Sequence, residues 1–335
     1  MTRGHAVCIA LVIALWGGDP IGNAAQAQQQ HRSPIQRVDH IMIRTDRPAE
    51  IYALFTDILR LPVAWPLAER GGVVSGGAGF GNVIVEAITF PGQVSTPAAT
   101  HLVGFGFKPT ALSESLAELT RRRITHGEPR PFVSTTPDGV RMTFFTNVTL
   151  LQFSDSDRPG NATTHIFLSE YEPAYVDVDR RRARLRRELE ATSGGTLGVT
   201  GVKEIILGAT NPSTAARLWQ SLLHPTHTSL PGGLWQIGDG PGVRLVQAND
   251  NLVQGLVITV KSLSRATEVL QQLGLLGAAS ATEATFASAK IHGLNIRLVQ
   301  DNDSMPKESM LPPSERRVRL PAAGLSGPER AAERR

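Results

Sequence analysis

Three side chains in the first half of this chain are of the types that bind a divalent metal: His40, Glu86 and His101. Imidazole and carboxylate donors together suit Mn, Fe, Ni or Zn, and a two-histidine-plus-carboxylate face leaves coordination positions open. Through such positions a metal polarises two neighbouring oxygens of a bound molecule and stabilises the oxyanion formed when a proton moves. The second half of the chain repeats the surroundings of these residues but not the residues themselves. Val38-Asp-His-Ile-Met-Ile-Arg-Thr45 returns as Val202-Lys-Glu-Ile-Ile-Leu-Gly-Ala209, and Gly81-Asn-Val-Ile-Val-Glu-Ala87 returns as Gly242-Val-Arg-Leu-Val-Gln-Ala248. His40 is thereby matched with Glu204, Glu86 with Gln247 and His101 with Gln254.

The elements that must position these residues follow from periodicity. Alternation along 38–44 puts Val38, His40, Met42 and Arg44 on one face of a strand and Ile41 and Ile43 on the other. Apolar residues then recur at helical spacing (Ile51, Leu54, Phe55, Ile58, Leu59) until Pro62, and strands are expected near 63–67, 72–76 and 82–90. Glu86 sits between Val85 and Ala87 in an apolar strand, so an inward carboxylate there needs a cation or strong donors. A second strand–helix–strands unit opens at Thr100-His-Leu-Val-Gly-Phe-Gly-Phe107, with a helix over 112–124 and strands near 131–135, 140–147, 148–154 and 164–171. Gly76-Gly-Ala-Gly-Phe-Gly81 lacks a following helix and reads as a turn or cup edge rather than a phosphate loop.

Residues 173–198 connect the halves. Their Arg- and Glu-rich core, 177–192, reads as a solvent-facing helix stopped by Gly194-Gly195. A third unit runs over 199–250 and a fourth over 252–300, with a strand at 257–260, a helix at 263–273 and strands at 284–291 and 294–299. Tandem units of this kind set the architecture before any single residue is interpreted. From Asp301 to Arg335 the composition turns to Pro, Ser, Arg and Glu, which predicts a disordered tail.

With 335 residues, 41% hydrophobic and 19% charged, the chain has length for two domains with their own cores and is not membrane-embedded. A net charge of +4 and Arg runs interleaved with acids argue against nucleic acid as a partner. Residues 1–27 have the basic start, short apolar core (Ala6 to Trp16) and Ala25-Gln-Ala27 ending of a secretory signal. The apolar run is shorter than the ~20 residues of a bilayer span, so no stable membrane anchor remains after cleavage. The reading is a secreted or periplasmic bacterial protein. Cys8, the single cysteine, lies in that segment, which excludes disulfides and a cysteine nucleophile from the mature chain.

Four strand–helix–strands units in tandem, led by Val38-Asp-His-Ile-Met-Ile, Gly81-Asn-Val-Ile-Val-Glu86 and His101-Leu-Val-Gly-Phe, resemble the vicinal oxygen chelate superfamily, which includes the glyoxalase I, bleomycin-resistance and extradiol-dioxygenase families. The resemblance implies an α+β fold of four βαβββ units forming two glyoxalase-like modules with curved mixed sheets, at 36–172 and 199–300. It also implies a divalent metal (Mn, Fe, Ni or Zn) in the first module's cup, held by His40, Glu86, His101 and a late residue. That fourth position is given to Glu170, with Glu172, Gln152 and His165 as competitors. Glu86 and Glu170 then carry the catalytic roles, a detachable Glu86 serving as base. The second module, with Glu204, Gln247, Gln254 and Arg297, reads as degenerate and metal-free. The function implied is a metal-dependent lyase or isomerase acting on a small oxygen-rich molecule; a non-catalytic small-molecule binding protein and a ring-cleaving dioxygenase are the alternatives.

Overall fold

A computed structural model describes residues 33–90, 100–135, 139–224, 229–230 and 233–302. Residues 1–27, which the sequence reading gives to a secretory signal, and nearly all of the 301–335 segment lie outside the described residues. In the first unit, strand β1 (Ile35–Arg44) leads into helix α1 (Pro48–Ala53), which continues as a π-helical turn, Leu54–Ile58. Pro48 suits the first helical turn, where its missing N–H costs nothing. Ile51, Leu54 and Phe55 form the buried stripe. Strands β2 (Val63–Arg70), β3 (Val73–Gly79) and β4 (Ile84–Thr89) follow. The second unit repeats the order with β5 (His101–Pro109), α2 (Leu112–Arg121), β6 (Arg130–Thr135), β7 (Arg141–Thr149) and β8 (His165–Tyr171).

Together they make one eight-stranded sheet ordered β2-β3-β4-β1-β5-β8-β7-β6. β1 and β5 pair antiparallel at its centre, with β4 parallel to β1 and β8 parallel to β5. After helix α3 (Val178–Ala191) the plan recurs. The third unit is β9 (Val199–Ala209), α4 (Pro212–Leu223), β10 (Ser229–Leu230), β11 (Leu234–Gln236) and β12 (Gly242–Gln247). The fourth is β13 (Val253–Val260), α5 (Leu263–Gln272), β14 (Leu276–Ala279), β15 (Glu283–Phe286) and β16 (Ile296–Gln300). The second sheet, β10-β11-β12-β9-β13-β16-β15-β14, has the same order as the first. The fold is thus α+β, with two tandem glyoxalase-like modules.

Several expectations are corrected. The two strands expected at 140–147 and 148–154 are one strand ending at Thr149, after which Leu151 turns back to bond Thr125. The strand expected at 284–291 stops at Phe286, and Ser288–Lys290 forms a 3-10 turn. Gly76, Gly77 and Gly79 are not a loop but lie inside β3, where a Cβ on Gly76 would come within 2.6 Å of the Tyr52 ring and one on Gly77 within 2.8 Å of the Trp65 ring. The modules do not have separate cores. One apolar cluster runs through both, and Trp219 of α4 lies against Phe105 and Phe107 of β5 and against Phe153. Burying a side chain of that size removes it from water at a gain of roughly 2–3 kcal/mol. Arg122 adds a polar tie, donating to the carbonyls of Ser221, Leu222 and His224 at the C-terminal end of α4.

Helix α3 is only partly solvent-facing. Val178, Leu185 and Leu189 are buried, and Leu185 packs on the bare Cα of Gly79. Gly194 (φ +88) and Gly195 (φ +66) end it in the left-handed region, as expected. A Cβ on Gly195 would stand 2.3 Å from the Leu59 carbonyl oxygen, so the connection passes flush against the first module.

Candidate functional site

The concave face of the first sheet is opposite to its helix-covered face, and register decides which side chains it receives. Ile41 and Ile43 of β1 join the main core, whereas Met42 packs with Ile88, Val103 and Phe167 in a small apolar cluster inside the cup. Val38 does not share the His40 face, contrary to strict alternation; it belongs to the main core. The reason is a β-bulge. Val38 is opposite Phe107 and His40 is opposite Gly106, which leaves Asp39 without a partner position on β5. An extra residue of this kind re-aims its neighbours. Here it turns Asp39 and His40 toward one another.

The result is a buried polar chain. Asp39 Oδ2 lies 2.8 Å from His40 Nδ1 and accepts the Tyr171 hydroxyl proton at 2.7 Å. A carboxylate only accepts, so Nδ1 carries hydrogen and Nε2 is left facing Glu86 Oε2 at 3.7 Å. Glu86 Oε1 accepts from Ser75 Oγ at 2.5 Å, and Ser75 Oγ accepts from Trp65 Nε1 at 3.0 Å. These are the strong donors an inward carboxylate requires. From α3, the Arg181 guanidinium lies between the rings of Trp65 and Tyr171, 5.5 Å and 4.9 Å from their centroids, with Nη2 3.9 Å from Asp39 Oδ1.

Asp39, His40 and Glu86 are 3%, 6% and 8% exposed, so their charges interact in a poorly hydrated setting. Burial by itself raises Asp39, but the His40 hydrogen bond, the charges of His40 and Arg181 and the Tyr171 hydroxyl reverse this and hold it at about 2. For His40, burial acts downward, and the hydrogen bond it donates to Asp39 with the charges of Asp39 and Glu86 outweighs it, so the net direction is up. Glu86 is raised chiefly by burial, with His40 and Ser75 offsetting only part. A histidine inclined to keep a proton and a carboxyl inclined to accept one therefore face each other across a gap wider than a hydrogen bond. Such a pair is suited to passing a proton to and from a third atom that contacts both from the cup side.

The structure brings His40 and Glu86 together and leaves His101 and Glu170 elsewhere. His101 is opposite Arg44 at the far end of β1, whereas Gly106 is opposite His40. Arg44 is four residues along β1 from His40, about 13 Å at ~3.3 Å per residue. Glu170 shares the helix-side face of β8 with Ile166 and Leu168, and its Oε1 accepts from the backbone N–H of Leu112 at the start of α2. It is an exposed helix-capping carboxylate rather than a cup residue. Glu172 is also exposed, and Gln152 accepts from Thr125 N–H. His165 does face the cup side of β8, but it stacks on Phe167 (centroids 5.0 Å apart), and burial lowers it to about 4.

A four-donor centre needs its donors about 2 Å from one ion. Opposite His40 stand Gly106 and Phe167, with the Phe167 ring 5.4 Å from the imidazole, and Arg181 adds positive charge. Among the described residues no group of three or more His, Cys, Asp or Glu is arranged to hold a metal ion. The residues present do not complete the His-Glu-His-Glu centre that the resemblance implies.

Register also corrects the second module. Gly242 is opposite Glu204 as Ile84 is opposite His40, so Glu86 corresponds to Arg244, not Gln247. Glu204 and Arg244 form a two-point ion pair at 2.5 Å and 2.8 Å, and the Arg244 hydrogen bond holds Glu204 low. Gln247 is exposed, Gln254 donates to Asp250, and Arg297 pairs with Glu283. An internal salt bridge therefore fills the place of the first module's proton-transfer pair.

Two other concavities contain neither His40 nor Glu86. A cleft of about 340 Å³ between the modules is lined by Phe153, Ile166, Leu207, Leu218, Trp219 and Asn251. An open groove of about 760 Å³ runs beside Asp57, Arg60, Thr196 and Arg265. Asp39, Trp65, Ser75, Tyr171 and Arg181 were not assigned roles from sequence. An aspartate directly before the histidine of an apolar strand was the available signal.

No family model matches the chain, and neither does any curated protein. Solved structures do. A hypothetical protein from Staphylococcus aureus aligns over 79% of this chain and 98% of its own, with TM-score 0.51 and 10% identity. Homoprotocatechuate 2,3-dioxygenase from Arthrobacter globiformis aligns over 81% of each chain, with TM-score 0.51 and 9% identity. The Brevibacterium fuscum enzyme complexed with 3,4-dihydroxyphenylacetate aligns over 81% of this chain and 82% of its own, with TM-score 0.50 and 9% identity. The fold is shared with these extradiol dioxygenases. At such identities the likeness extends to the fold alone.

Proposed function

We propose that the chain is a vicinal oxygen chelate superfamily protein whose first module is a proton-transfer site, of isomerase or lyase type, for a small oxygen-rich molecule. The observation that carries this reading is the His40 Nε2 to Glu86 Oε2 separation of 3.7 Å, with Nδ1 fixed by Asp39. A carbon-bound proton next to a carbonyl, set beside the pair within reach of both atoms, meets an oriented acceptor on one side and an oriented donor on the other. Asp39 keeps the imidazole in one tautomer, and Ser75 keeps one Glu86 oxygen occupied so that the other points into the gap. The apolar cluster of Met42, Ile88, Val103 and Phe167 limits water around the reacting atoms. Gly106 and Phe167, which bring no donor atom, stand beside His40, so the side chains themselves carry the proton. Export to the periplasm or medium is part of the proposal and rests on the pattern of residues 1–27.

A ring-cleaving dioxygenase is the second reading, supported by the fold shared with homoprotocatechuate 2,3-dioxygenase. It requires two donors besides His40, and His101 and Glu170 do not supply them. The test is proton exchange. Small 2-hydroxy and 2-oxo compounds are incubated with the protein in D2O, and loss of the carbon-bound proton is followed by NMR. The proposal expects exchange that disappears in both His40→Gln and Glu86→Gln. Binding without exchange would leave a non-catalytic binding protein, and exchange unchanged in both variants would end the proton-transfer reading.

A further inference from the structure

The linker helix contributes a side chain that the proton-transfer pair does not use. Arg181 leaves α3 and ends between Trp65 and Tyr171, where both ring faces hold its plane. Stacking of this kind fixes a guanidinium fork before anything binds it. Its Nε and Nη2 are buried and make no hydrogen bond among the described residues, and neither does Asp39 Oδ1. An arginine serving only to neutralise Asp39 would close on it at about 2.8 Å. The observed approach is 3.9 Å. Asp39 Oδ2 is already occupied by His40 and Tyr171. Farther along the same concave face, Asn147 Oδ1 on β7 and His165 Nδ1 on β8 are likewise buried without hydrogen bonds. Buried polar atoms are nearly always satisfied, so several on one concave face point to an occupant that satisfies them.

Charge narrows the occupant. Arg181 brings one stacked cation to the cup, and its nearest carboxylate, Asp39, stands 3.9 Å off rather than closing on it. One cation not closed on a counter-ion favours a ligand with a single negative charge. The Arg181 side chain as a whole keeps 15% of its exposure. We propose that Arg181 recognises a carboxylate, and that the substrate class of the cup is a small monocarboxylate whose carboxyl end sits at Arg181 while the adjacent carbon lies at His40 and Glu86. This rests on the proton-transfer reading for the second half of the statement only. Arg181 is a binding and positioning residue on this account, and Trp65 and Tyr171 are the clamp that holds it.

The stack supplies its own reporter, since Trp65 emission responds to what Arg181 holds. Glycolate and pyruvate are titrated into the mature protein at constant pH, each against its neutral amide, glycolamide or pyruvamide. The expected result is a saturable change in emission with the acids, absent in Trp65→Phe, and at least about tenfold weaker with the amides, as loss of a charge-assisted pair implies. Arg181→Met should weaken the acids by at least about tenfold and leave the amides unchanged, with Arg181→Lys in between. Acids and amides binding alike to the unmodified protein would overturn the proposal whether or not the variants fold. His40→Gln separates the two readings. Carboxylate binding that persists there while proton exchange is lost supports both, and Arg181-dependent binding with no exchange in the parent protein keeps this inference and removes the enzymatic one.

Discussion

Gly106→Ala is the substitution that tests most sharply how the cup is built. Gly106 is opposite His40 on one side and Phe167 on the other. A Cβ there would come 2.9 Å from His40 Cε1 and 2.9 Å from Phe167 Cζ, several tenths of an ångström inside ordinary carbon contact. Neither ring has room to yield, because His40 is 6% exposed and tied to Asp39, and Phe167 is 2% exposed and wedged against His165. Overpacking of a closed site by one methyl costs about 1–3 kcal/mol. For a unit of this size that lowers Tm by roughly 2–10 °C. Gly127→Ala is the matched control, since its Cβ would meet nothing nearer than 3.8 Å at Thr149. Thermal and denaturant unfolding of both variants measure the cost, and the His40 imidazole shifts report where it falls. The account expects Gly106→Ala to be destabilised with His40 displaced, and Gly127→Ala to be close to unchanged. A Gly106→Ala protein as stable as the control, with His40 unmoved, would refute the packing on which the donor-set conclusion stands.

Asp39→Asn should lower the His40 pKa, because the charge and the accepted hydrogen bond that hold it up are lost, as followed by imidazole NMR. Because Asp39 is held at about 2 against an ordinary value of 3.8, its stabilisation is complete above the ordinary value and is lost as pH falls through about 2. Acid unfolding of the parent protein should therefore show a loss of roughly 2 kcal/mol over that window that is absent in the variant. His40 is raised, so its contribution runs oppositely, present below pH 6.5 and lost as pH rises beyond it. In the second module, Arg244→Met strands Glu204 and should cost roughly 2–4 kcal/mol in denaturant unfolding, with Glu204→Gln added to it restoring part of the loss.

Much of this architecture is legible in the chain, because the units announce themselves by period. The apolar stripe of α1, the repeat of β1 in β9 and the glycine stop after α3 each follow from local spacing. Register is what local spacing leaves open. The bulge at Asp39 moves Val38 to the core face and creates the Asp39–His40 pair, and the pairing of β1 with β5 puts His101 opposite Arg44, four residues along β1 from His40. Both are settled by how β1 and β5 pair, a contact between segments distant in sequence. The Glu86 to Gln247 match failed likewise, since the first sheet and the second meet their parallel partners at different points along the repeat. Two other features are legible from local alternation alone. Glu170 alternates with Ile166 and Leu168 rather than with Phe167 and Tyr171, and Val178, Leu185 and Leu189 mark a buried stripe on α3 beneath its charges.

The central claim is that Asp39 fixes one imidazole nitrogen so that the other faces Glu86 in the cup. Nitrogen-15 NMR of His40 across the pH range reads this directly. The account predicts a neutral form protonated on Nδ1, an apparent pKa above 6.5, and Nε2 shifts that move in Glu86→Gln. A neutral form protonated on Nε2, or a pKa below 6.5 indifferent to Glu86, would contradict it.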